Sequence, residues 1–160
     1  MLQAYQLYSL GFQQEPISGI GKLVKWEKIP DEFKEPLKHR LPGNKVVETV
    51  WEVKKMVRIS QCEYSVGNVY IIGWDEDDFP RFAKIDKVYL VNGEYYFCST
   101  EFACLEFRRD IYSYVVLSKD MVVFKPSEEV DYHALDLYKK NEEFVLILRY
   151  SVLRKVVQQD

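Results

Sequence analysis

The sequence predicts a mainly β protein, a small antiparallel barrel or roll carrying one or two short helices. Three observations lead there. Asn92-Gly93 separates two apolar runs, residues 81–91 and 94–107; Asn-Gly suits a type I′ turn because both central residues must adopt φ > 0. Seven or eight strand-like segments recur along the chain, spaced by tight turns as small β-barrels and two-layer β folds require. Finally, 12 Tyr, 9 Phe and 3 Trp stand against only 7 Gly and 6 Pro, the balance of a chain that folds on a core rather than staying disordered.

Residues 1–12 are apolar and aromatic (Leu2, Tyr5, Leu7, Tyr8, Leu10, Phe12), with no settled period; packing on the domain is the expectation, and self-association through this segment the alternative. Residues 19–29 alternate as a strand with one lysine-rich face, Lys22, Val24, Trp26 and Lys28. Asp31 is expected to cap a helix over residues 31–41, shortened or kinked by Pro36. Leu41-Pro42-Gly43-Asn44 reads as a loop. It divides an N-terminal extension, residues 1–44, with its strand and helix packed on the main domain, from a barrel-like β-domain, residues 45–160.

In that second part, residues 46–59 read as one long strand, although a helical stripe (Val46, Val50, Val53, Val57) stays open. A turn is expected over 61–68, marked by Gly67-Asn68, then a buried strand over 69–74 and an acidic loop over 75–78. The two-residue turn at Asn92-Gly93 fixes the hairpin register: Val91 faces Glu94, Leu90 faces Tyr95, Tyr89 faces Tyr96 and Val88 faces Phe97. Residues 104–107 either prolong the second hairpin strand or open the next. Two short strands, 112–117 and 121–124, are expected around a turn at Ser118-Lys119-Asp120, then a helix or extended connection over 131–140. A last strand follows over 143–150, and a short helix or tail ends the chain.

Composition excludes several classes. No apolar run approaches the roughly 18 residues of a membrane span, and the first residues lack the basic start of a signal peptide, so no membrane association is expected. Cys62, Cys98 and Cys104 are odd in number and form no CxxC, which points to free thiols and an intracellular, reducing setting. The net charge of −3 is uneven: residues 19–58 hold 10 Lys/Arg against 6 Asp/Glu, net +4, and residues 59–160 hold 12 against 18, net −6. A nucleic-acid binder carries a broader basic footprint.

No HxH, HExxH, GxSxG, Walker A or GxGxxG pattern occurs, so neither a metal nor a cofactor is expected. One pattern resembles an enzyme's. Pro30-Asp31 followed by Glu52-Val53-Lys54 matches the PD…ExK arrangement of a nuclease superfamily. There two carboxylates hold a divalent metal that activates water, and the lysine orients that water. This makes Asp31, Glu52 and Lys54 the alternative catalytic set, but the helix expected at Asp31 stands where that family has a strand. The main expectation is a non-catalytic binding surface on the central sheet, built from Tyr70, Trp74, Tyr89 and Tyr96, with Lys54, Lys55 and Arg58 at its rim. The expected partner is a protein; nucleic acid is the alternative, through the basic face of residues 22–58.

Two stretches of the chain resemble known families. Ser65-Val66-Gly67-Asn68-Val69-Tyr70-Ile71-Ile72, then Phe82-Ala83-Lys84-Ile85-Asp86-Lys87-Val88-Tyr89 and Gly93-Glu94-Tyr95-Tyr96-Phe97, resemble BAH domains, chromatin-associated interaction modules on an SH3-like barrel. The likeness covers about a third of the chain and ends at Phe97, where Ser99-Thr100-Glu101-Phe102 replaces the Phe-Arg-Pro-Glu-type segment of that family. Over residues 46–150 the order of motifs, including V-Y-L-V-N, Y-Y-F, Y-S-Y-V-V, V-D-Y-H-A-L and F-V-L-I-L-R-Y, is similar to the C-terminal β-domain of uncharacterised mobile-element-like animal proteins. That resemblance implies a nuclear, DNA-transaction setting and transfers no functional residue.

Overall fold

A computed structural model describes residues 21–41, 43, 47–126, 130–131, 133–140 and 143–147. The expectations for residues 1–12 and 151–160 lie outside the described residues. The described chain is mainly β, with ten strands and one α-helix. In order these are β1 (Gly21–Lys25), a 3-10 turn (Trp26–Lys28), α1 (Asp31–Arg40), β2 (Thr49–Val53), β3 (Met56–Ile59), β4 (Cys62–Ser65), β5 (Val69–Trp74), β6 (Pro80–Val91), β7 (Glu94–Arg108), β8 (Ser113–Phe124), β9 (Asp136–Lys140) and β10 (Glu143–Ile147).

The hairpin β6–β7 is the spine. Asn92 and Gly93 take φ of 50° and 81°, and the register is the one the turn dictates, Val91 opposite Glu94 through Val88 opposite Phe97. One edge of β6 carries β7. The other edge is shared: β5 pairs along Pro80–Lys84 and β2 along Val88–Leu90, with a bulge at Asp86 between them. The sheet continues through β8, β10 and β9 in antiparallel order. It curls until Leu135, just before β9, bridges back to Val69 of β5. The described residues among 131–140 are therefore the extended connection, ending in β9, and not the helix.

Three cores fill the two sides. Phe82, Phe102, Val116, Leu135 and Leu146 converge inside the curl. On one side of the spine Phe33 and Leu37 of α1 meet Tyr89, Tyr96 and Cys98. On the other, Val57 and Tyr64 of the β3–β4 ribbon cover Tyr70, Ile85, Val88 and Phe97. Residues 21–41 thus belong to the same sheet and cores as the rest, β1 pairing with β2 along its whole length.

Several expectations are corrected. The strand expected over 46–59 is two strands, bent at Lys54-Lys55, where Val66 N–H donates to the Lys55 carbonyl (2.8 Å); the charged pair breaks the apolar alternation and lets β3 leave the sheet. The turn expected over 61–68 contains β4, closed by a two-residue turn in which Ser60 and Gln61 adopt φ of 50° and 69° without a glycine. Ser118-Lys119-Asp120 is not a turn: β8 runs through it, because β7 is long enough to pair with both halves and a bulge absorbs the offset between Thr100 and Phe102. Asp31 is the first residue of α1 and makes no cap; Pro30 is the N-cap residue, its carbonyl accepting from Phe33 and Lys34 N–H groups. The helix runs its ten residues through Pro36.

Candidate functional site

Strand alternation sends Val53 of β2 into the core under the β3–β4 ribbon and Val50 into the core under α1. Glu52, two residues from Val50, points to the α1 side and is buried. A buried carboxylate needs compensating charge, and three lysines supply it. Lys87 of β6 donates to Oε1 at 3.0 Å, Lys54 lies 3.2 Å from Oε2, and Lys22, opposite Glu52 in the β1–β2 register, lies 3.9 Å from Oε2. Burial pushes the Glu52 carboxyl up, but the hydrogen bonds and charges of Lys87 and Lys54 outweigh it and hold the group below its ordinary value. The carboxylate side chain is 7% exposed while the three lysines are 39–59% exposed. The cluster therefore sets three part-exposed lysine side chains around one carboxylate, two positive charges in excess of the charge they enclose.

Neighbouring groups fix the geometry. Tyr89 pairs with Glu52 in register and its hydroxyl is held protonated, first by burial and then by the Glu52 charge. Gly21, at the start of β1, allows β1 to lie close on β2: a Cβ there would stand 2.6 Å from the Glu52 carbonyl oxygen and press on Trp51 Nε1. That indole N–H is buried and has no hydrogen-bond partner among the described residues.

The expected site residues divide. Lys54 joins the cluster. Tyr70, Tyr89 and Tyr96 are each 1% exposed, so they are core residues and not the walls of an open aromatic surface; the strands that carry them are covered on both sides. Tyr70 Oη accepts from Ser65 N–H (2.8 Å), and Tyr96 Oη donates to Glu94 (3.1 Å). Trp74 pairs with Pro80 and Glu52 with Tyr89; those partners are nine residues apart on β6, roughly 25–30 Å at the usual strand rise, so Trp74 and the cluster share no surface. Lys55 is exposed in the bend, and Arg58 is engaged by Glu63 across the β3–β4 ribbon. Of the alternative catalytic set, Asp31 has a fully exposed side chain paired with Lys34 (3.6 Å), whereas Glu52 is enclosed by lysines. Among the described residues no group of three or more His, Cys, Asp or Glu side chains is placed to hold a metal ion.

Lys87 is the residue that sequence reasoning missed. The hairpin register places it on β6, but only the β2–β6 pairing sets it against Glu52, 35 residues away in sequence. A shallow cleft of about 320 Å³ lies elsewhere, lined by Asn68, Lys84, Leu135, Asp136 and Tyr138. Comparison with protein-family models, with curated proteins and with solved structures finds no match in any of the three.

Proposed function

We propose that the chain is a non-catalytic interaction module that binds an acidic segment of a protein partner at the lysine cluster around Glu52. The observation that carries this reading is the convergence of Lys22, Lys54 and Lys87 on one buried carboxylate. Glu52 gathers three flexible side chains before any ligand arrives, which lowers the ordering cost of binding. The two charges in excess then favour a carboxylate-rich ligand. Charge elsewhere favours a short acidic segment over a long polyanion: the chain is net −3 and residues 59–160 are net −6, so a nucleic acid is repelled outside the cluster. An SH3-like barrel core and a nuclear, chromatin-linked role are the finer parts of this proposal. Their support is the BAH-like run of residues 65–97 together with the curl of the antiparallel sheet.

The test is a titration of the full chain with a labelled eight-residue peptide of alternating Glu and Ser, an uncharged Gln/Ser counterpart and a duplex DNA, at low and at physiological salt. The reading expects binding of the acidic peptide alone, weakened by salt. Equal binding of the uncharged peptide, or tighter binding of DNA, overturns it.

A further inference from the structure

The lysine cluster sits beside a strand edge. β1 ends the strand order of the sheet, and among the described residues it pairs only with β2. In an antiparallel pair about half of a strand's N–H and C=O groups face its partner and the rest face away, so β1 directs a row of main-chain donors and acceptors outward. Its two faces differ. Lys22 lies on the Glu52 face, 59% exposed, with Lys54 and Lys87 behind it. Leu23 lies on the opposite face, 66% exposed, paired in register with half-buried Trp51.

We infer that the acidic partner binds by adding a strand to the edge of β1 that no described residue pairs. This inference rests on the proposed acidic-partner reading and names its mode. Main-chain hydrogen bonds to the edge would supply register, and alternate side chains would supply selectivity. The fitting segment is extended and alternates acidic with apolar residues, its carboxylates on the Lys22–Lys54–Lys87 face and its apolar side chains against Leu23 and Trp51. A second copy of the chain fits this edge poorly: pairing β1 with itself brings Lys22 and Lys25 close to the same residues of the other copy, and charged edge residues of one sign oppose such pairing.

The experiment uses the full chain and two probes, an acetylated, amidated nine-residue peptide alternating Glu and Val, and the same peptide N-methylated at every backbone nitrogen. Binding is read by competition and by amide hydrogen exchange. The unmodified peptide is expected to bind at least about tenfold more tightly, the equivalent of one or two net hydrogen bonds, and to slow exchange at residues 21–25. Equal affinity of the two peptides, with binding still lost in a Lys54→Ala/Lys87→Ala variant, overturns strand addition and leaves the acidic-partner reading standing. Failure of both peptides overturns both. Outward amides of β1 already slow in the free chain also overturn the inference. Slow exchange independent of concentration would mean the edge is occupied by the chain itself, and slow exchange that builds with concentration would mean a second copy.

Discussion

At the scale of single residues, Glu52 carries the most consequence. Removing one partner from a buried pair costs about 3–5 kcal/mol, and the exposure of the three lysines, which can turn to water, reduces this. Glu52→Gln should therefore cost about 1–3 kcal/mol at neutral pH, measured by urea unfolding. The pH dependence has a definite sign. The native carboxyl titrates below its ordinary value of 4.5, so its contribution is complete above that value and is lost as the pH falls through the lower native one. The gap between wild type and Glu52→Gln should narrow in acid; a gap that stays constant or widens there would show that the carboxylate's charge is not what stabilises. A second residue can be tested chemically. Cys98 is fully buried and burial pushes its thiol up to about 12, so it should resist a thiol reagent in the native protein and react only on unfolding. Rapid native labelling at Cys98 would contradict the packing under α1.

At the scale of elements, the β1–β2 contact depends on Gly21. The added Cβ of Gly21→Ala would meet main chain as well as indole, and neither can withdraw cheaply, so β1 must shift from β2. A loss of about 1–3 kcal/mol is expected from such overpacking, together with weaker binding of an acidic ligand, because Lys22 follows Gly21 directly. Unchanged stability would show that β1 is placed differently. Elements also show what the sequence could reveal. Asn92-Gly93 announced its hairpin and register because a two-residue turn is a local device with a demanding backbone. Ser60-Gln61 makes the same kind of turn with ordinary residues and announced nothing. Ser118-Lys119-Asp120 carries turn-like polarity yet lies in β8, since pairing with the long β7 outweighs local preference.

At the scale of the molecule, mainly antiparallel β architecture was legible from alternation and turn spacing. A curled sheet was expected as a barrel or roll, but the contacts that make the curl were not legible, because Val69 meeting Leu135 and β2 and β5 sharing one edge of β6 join residues far apart in sequence. The site was half legible for the same reason. The basic face of residues 22–58 was visible, but its organising feature is a glutamate made central by burial, completed by a lysine from another strand. The tyrosines were misplaced because an aromatic on a strand reads alike whether its face is open or covered, and here α1 and the β3–β4 ribbon cover both. Receipt of an acidic partner by this cluster is measured by titrating the alternating Glu/Ser peptide into wild type and into a Lys54→Ala/Lys87→Ala variant that still unfolds cooperatively. A loss of affinity of at least about tenfold in the variant, shrinking as salt rises, is the predicted result. Equal affinity in the two proteins at low salt would contradict it.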